Sequence, residues 1–101
     1  MRVVLTEAAI DDLIAIGTFI GQDDPKRAAT FVAALEARCT ALADTPRGFP
    51  LLPGREALGI RRRPYGHHLI FYRIDEAASH IEVLRVLSGA RNIDAILFPV
   101  D

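Results

Sequence analysis

The run GIRRRPYGHHLIFYRI, Gly59 to Ile74, gathers the residue types best suited to chemistry on an acidic ligand. It holds four of the chain's eleven arginines and two of its three histidines. Arg61, Arg62, Arg63 and Arg73, with Arg85 and Arg91 further on, offer planar guanidinium forks that hold carboxylates or phosphates through paired hydrogen bonds. Tyr72 adds a phenol, and His67 and His68 could carry protons near neutral pH. Such a set could grip nucleic acid, line an active site or dock an acidic protein segment. The histidine pair is not a chelate, because neighbours in a strand face opposite ways. Other zinc-type ligands are limited to His80, Cys39 and carboxylates, so neither metal nor cofactor is expected. Ser88, His68 and Asp75 could be drawn as a triad, but no nucleophile-elbow sequence surrounds the serine.

Charge narrows the choice. The net charge is −1, whereas proteins that live on nucleic-acid backbones are usually clearly basic. The distribution is uneven. Arg55 to Arg73 holds five arginines against Glu56, and Glu7 to Asp24 holds five acids and no base. A local basic patch on a near-neutral chain fits an acidic partner surface as readily as nucleic acid. With 101 residues, half of them apolar and a quarter charged, the composition fits one globular domain, 1–101. No apolar run reaches the roughly 18 residues of a membrane span. The opening MRVVLTEAAIDDL is acidic by Glu7, so no signal peptide is expected. A cytoplasmic protein with no membrane partner is expected. The single cysteine, Cys39, excludes an internal disulfide.

The elements that must position these residues can be read from the pattern. Arg2 to Leu5 is a short β-branched run. Thr6-Glu7 opens a helix whose stripe is Ile10, Leu13, Ile14, Gly17 and Ile20, widened by Phe19. Asp24-Pro25 opens a second helix, with an N-cap carboxylate before proline at the first helical position. Its stripe is Ala28, Phe31, Val32, Leu35, Cys39 and Leu42, and it should stop near Thr45-Pro46. The loop PRGFPLLPGREA follows. Leu58 to Arg63, His67 to Ile74 and Ser79 to Leu87 then read as an antiparallel meander. Ile93 to Phe98 is an apolar tail, one helical turn or a last strand. The expected fold is α+β in the order β-α-α-β-β-β, a helical hairpin packed on one face of an antiparallel sheet.

Strict alternation places Ile81, Val83, Arg85 and Leu87 on one face of the last strand, opposite Glu82, Leu84 and Val86. Both sheet faces then carry large apolar groups, and a two-helix hairpin covers only one. The other is expected to stay open as an apolar strip edged with arginine, with Arg85 lining it. Such patches mark partner sites.

The chain resembles the RelE/ParE toxin superfamily of bacterial toxin–antitoxin modules, and within it the ParE-like toxins. The likeness rests on Leu5-Thr6-Glu7-Ala8-Ala9, on Leu69-Ile70-Phe71-Tyr72-Arg73-Ile74 and on Ile81-Glu82-Val83-Leu84-Arg85-Val86-Leu87. Gly89-Ala90-Arg91-Asn92 and the basic GIRRRPYG approach complete it. The resemblance covers nearly the whole chain. It implies a helical hairpin on an antiparallel sheet, a small ParD-like antitoxin as partner, and DNA gyrase as the target of the free toxin. Nucleic acid would then be met only through the antitoxin. The RelE-like alternative is a ribosome-dependent, metal-independent mRNA endoribonuclease, and a third is a non-toxic antitoxin-binding module. RelE-like enzymes carry a tyrosine or histidine near the C-terminus. Here Ser88, Gly89, Ala90, Arg91 and Asn92 follow the last strand, and Phe98 has no proton to give. The expectation is therefore no catalytic residue. Arg61, Arg62, Arg63, Tyr72, Arg73, Arg85 and Arg91 are the candidates for antitoxin or target binding, with Arg73 and Arg85 more important than Lys26 or Arg27.

Overall fold

The structure, a computed structural model, describes residues 1–100. Its elements are β1 (Arg2–Leu5), α1 (Glu7–Gly21), α2 (Pro25–Thr40), β2 (Ile60–Tyr65), β3 (His68–Asp75), β4 (His80–Ser88) and α3 (Ile93–Leu97). The helix starts follow local chemistry. The Thr6 hydroxyl accepts from Ala9 N at 3.1 Å, and the Asp24 carboxylate accepts from Arg27 N at 3.1 Å ahead of Pro25. Each cap satisfies an orphan amide and contributes about 1 kcal/mol. α2 continues through one 3₁₀ turn, Ala41–Ala43, and ends before Pro46.

The sheet order is β1-β4-β3-β2. β2, β3 and β4 form the expected antiparallel meander, but β1 lies parallel to β4, so the sheet is mixed rather than purely antiparallel. The hairpin between β2 and β3 turns through Gly66-His67, with Gly66 at φ +57°. Glycine at the first central position suits a two-residue turn. Pro64 is tolerated because β2 is the last strand of the sheet. The outer side of β2 pairs only with the loop before it, where Leu52 N donates to Ile60 O and Arg62 N to Pro50 O.

One core lies between the hairpin and the sheet: Ala9, Leu13, Leu35, Cys39 and Leu42 against Ile70, Tyr72, Ile81, Val83 and Val86. The opposite sheet face is not open, contrary to the sequence expectation. Leu52, Ile60, Phe71 and Leu87 are buried there, with Leu84, Ile93, Ile96 and Phe98 packed over them. The loop and α3 make the cover, joined by an Arg55–Asp94 pair at 3.2 Å and by Arg55 lying 3.9 Å from the Phe98 ring centroid. The short apolar tail is thus the missing lid of the second face.

A bulge corrects the reading of β4. The register passes from Phe71↔Arg85 to Tyr72↔Val83, leaving Leu84 as the extra residue. Beyond it the alternation inverts, so that Val86 joins the hairpin-side core while Leu84 and Leu87 join the other. Bulges bend a strand and re-aim its side chains. Arg85, opposite Phe71, does not line an open face, because that face is covered and its guanidinium is held by Asp12.

Three of the exposed large apolar residues sit on α1. Leu13 and Ala9 are buried, but Ile10 is 45 %, Ile14 61 % and Phe19 75 % exposed. The sequence stripe was therefore two stripes, of which only one faces the core. No helix among the described residues is long and apolar enough to cross a membrane.

Candidate functional site

The helix α1 runs on past the end of β1 and takes over as partner to the edge of β4. Pairing of β1 ends at Leu5↔Val83. Thr6 N then donates to Val83 O and the Thr6 hydroxyl to Leu84 O. Nearly two turns further, Asp12 accepts from Val86 N at 2.9 Å, from Arg85 Nε at 2.7 Å and from Arg85 Nη2 at 2.9 Å. A buried carboxylate needs such a full set of donors. Asp12 in turn raises the pKa of Arg85 above its ordinary value, chiefly through the hydrogen bonds. Strand alternation alone suggests a binding face for Arg85. The structure places it in this latch, which locks the hairpin to the sheet.

Beside the latch a groove of about 670 Å³ opens between the hairpin and the ends of β3 and β4. Its apolar walls are Ile16, Phe19 and Ile20 from α1, Phe31 from α2, and Val86 and Leu87 from β4. Polar groups line the rim: Arg27 at the start of α2, His67 and His68 at the β2–β3 turn, and Ser88 and Arg91 after β4. Arg27 and Arg91 are exposed, and neither meets a carboxylate within salt-bridge distance among the described residues. The groove thus combines an apolar floor with two uncompensated cations, which suits an apolar segment that carries carboxylates.

His68 packs on Phe31 with ring centroids 5.2 Å apart, and its Nδ1 is buried without a hydrogen-bond partner. Burial, and then the neighbouring His67, push its pKa below the ordinary histidine value. His68 belongs to β3, whereas His67, expected to open that strand, lies in the turn, and both border the groove. No group of three metal-ligating side chains comes together among the described residues.

The other arginines are spread over three places. Arg61 Nη1 donates to Phe49 O at 2.8 Å, and Arg63 Nη1 donates to Arg38 O at 3.0 Å while lying 4.8 Å from the Phe49 ring centroid. The Tyr72 hydroxyl donates to Pro46 O at 2.7 Å, and the residue is fully buried. These three side chains fasten residues 46–49 to the sheet, and Tyr72 has no surface with which to meet a partner. Arg73 pairs across the strands with Glu82 at 2.9 Å, half exposed. Arg62 is half-buried on the Phe71 side of β2. Of the seven candidates, only Arg91 lies in the groove. Arg27, Phe19 and Phe31 were missed as groove residues. The available signal was Phe19, which falls off the core stripe of α1 and stays exposed.

A family model described as ParE toxin of type II toxin-antitoxin system, parDE, matches residues 3–93. Among solved structures, the chain is similar to one from the chromosomal ParDE toxin–antitoxin system of P. aeruginosa. The TM-score is 0.75 with 20 % identity, over 87 % of this chain and 95 % of that one. It is also similar to a chain of the toxin–antitoxin complex RelBE2 from Mycobacterium tuberculosis. Here the TM-score is 0.64 with 27 % identity, over 86 % and 95 % of the two chains. No curated protein sequence matches.

Proposed function

Since the chain belongs to the ParE toxins of type II toxin–antitoxin systems, we propose that a small ParD-like antitoxin neutralises it through the groove. In its free form, on this reading, the toxin inhibits DNA gyrase without being an enzyme. The observation that carries the antitoxin site is the groove itself, an apolar floor flanked by the uncompensated Arg27 and Arg91. An acidic, amphipathic antitoxin segment would place apolar side chains against Phe19, Ile20 and Phe31 and its carboxylates at the two guanidinium groups. Charge-assisted pairs of this kind gain strength when the segment excludes water from them. The gyrase assignment rests on family membership alone.

Expression in a bacterial host tests the reading. Growth arrest with filamentation and a DNA-damage response, relieved by co-expressed antitoxin, supports it. Arg27→Ala and Arg91→Ala should weaken antitoxin binding more than Arg73→Ala, whose guanidinium is already paired with Glu82. Equal dissociation rates for the three variants would remove the antitoxin from the groove.

One observation favours a second reading. The same groove brings His67, His68, Ser88 and Arg91 together, a set with proton carriers and a phosphate-holding cation. An mRNA endoribonuclease would stop translation rapidly and cut within reading frames, and His67→Ala or His68→Ala would abolish the cuts. Intact ribosome-bound mRNA would leave the non-enzymatic reading standing.

A further inference from the structure

The flank of α1 opposite the groove carries a second apolar surface, and its electrostatics are reversed. A channel of about 470 Å³ runs between the outer sides of α1 and α2, with Ile10, Ile14 and Gly17 on one bank and Val32 and Glu36 on the other. Ile14 is 61 % exposed at its centre. The helices approach closely here: a Cβ built on Gly17 would lie 3.2 Å from Val32 Cγ2. Next to Val32 and Glu36, α2 presents the small exposed residues Ala29 and Ala33, so a partner backbone can come near without meeting long side chains. Residues three and four apart are neighbours on a helix, so Glu7 and Asp11 border Ile10 and Ile14 on the α1 side. Glu36 borders Val32 on the other. All three acids are exposed, and none pairs with a base among the described residues. No lysine, arginine or histidine lines the channel.

We propose that this outer channel docks a basic, amphipathic helical segment of another protein, with apolar side chains laid along Ile10, Ile14 and Val32 and cations facing Glu7, Asp11 and Glu36. Two side-by-side helices present the groove geometry that a third amphipathic helix fills. Charge selects among the possible occupants. A symmetric pairing of two copies through this face would oppose acid to acid, which is costly at an interface. Nucleic acid, anionic lipid and an acidic antitoxin segment are repelled in the same way. The inference goes beyond the antitoxin reading, since it gives the chain two apolar docking surfaces of opposite sign on the two flanks of one helix.

The test uses the full chain and two probes, an 18-residue helical peptide of leucine and lysine and its leucine–glutamate counterpart. Each is titrated against methyl-labelled protein by NMR. The leucine–lysine peptide should shift the methyl signals of Ile10, Ile14 and Val32. Its affinity should fall about tenfold or more in Ile14→Arg and in Glu36→Lys, both surface changes that leave the fold intact by circular dichroism. The leucine–glutamate peptide should leave these methyls unmoved. Undiminished binding by Ile14→Arg, shifts confined to Ile16 and Ile20, or no binding at all would overturn the proposal. So would concentration-dependent self-association that Ile14→Arg abolishes, which would put a second copy in the channel. If instead the leucine–glutamate peptide fails to reach the groove at Ile16 and Ile20, the antitoxin reading is weakened and this one is untouched.

Discussion

Asp12→Ala should be the most damaging single surface-adjacent substitution in α1, and its cost can be built from its partners. Asp12 is 8 % exposed and accepts three hydrogen bonds, two from Arg85 and one from Val86 N. Alanine leaves the amide of Val86, a 1 % exposed residue, without an acceptor, at about 1–3 kcal/mol. It also strands Arg85. Breaking a fully buried pair costs about 3–5 kcal/mol, but the Arg85 side chain is 27 % exposed and can turn to water, so about 1 kcal/mol is the appropriate share. The sum is about 2–4 kcal/mol, a large part of the roughly 5–15 kcal/mol that stabilises a typical domain. Asp12→Asn keeps one acceptor and should cost about half as much. Urea unfolding followed by circular dichroism would show a lower midpoint at unchanged slope. The exposed neighbour Asp11 is the control, with Asp11→Ala expected within about 0.5 kcal/mol of the wild type. A cycle with Arg85→Ala and the double variant should give a coupling of about 1 kcal/mol or more. If Asp12→Ala unfolds at the same urea concentration as Asp11→Ala, or the cycle shows no coupling, the latch does not hold the hairpin to the sheet.

Three further outcomes are expected. His68 has a folded pKa below 6.5, so below that pH the unfolded chain binds more protons than the folded one. Its contribution to stability is present at neutral pH and is lost as the pH falls; between pH 7 and 5 wild type should lose more stability than His68→Gln, and parallel losses would contradict this. Burial pushes the Cys39 thiol up to about 11, so a thiol reagent at pH 8 should label it only as fast as the chain unfolds, and rapid labelling of folded protein would place it at the surface. Gly66→Ala should cost about 1 kcal/mol in urea unfolding because a Cβ strains φ +57°, while Gly66→Asn should cost less; equal costs would mean that the turn relaxes.

Much of the frame was legible because it is decided within a few residues. Thr6 and Asp24 cap helices through bonds that span three positions. Pro25 and Pro46 bound α2 by their fixed φ and missing amide. The α2 stripe from Ala28 to Leu42 repeats at helical spacing, and it is the stripe that packs. The meander of β2, β3 and β4 followed from short links and alternating faces. The family likeness, too, was carried by contiguous segments, and the match over residues 3–93 agrees with it.

What tertiary structure alone decided were the long-range pairings. Whether β1 runs parallel or antiparallel depends on an edge more than seventy residues away, and no local propensity records it. A one-residue bulge at Leu84 inverted the faces beyond it, because side-chain period two makes every insertion a change of side. Arg85 was taken off a supposed open face by two long-range facts, the cover over that face and the pairing of its guanidinium with Asp12. The cover of the second sheet face came in part from five helical residues, Ile93–Leu97, too short to announce a role until packed. The groove follows from the same cause. Arg27, Phe19 and His68 come from three elements and Arg91 from the link between β4 and α3, and only the closing of the hairpin against the sheet brings their side chains to one place.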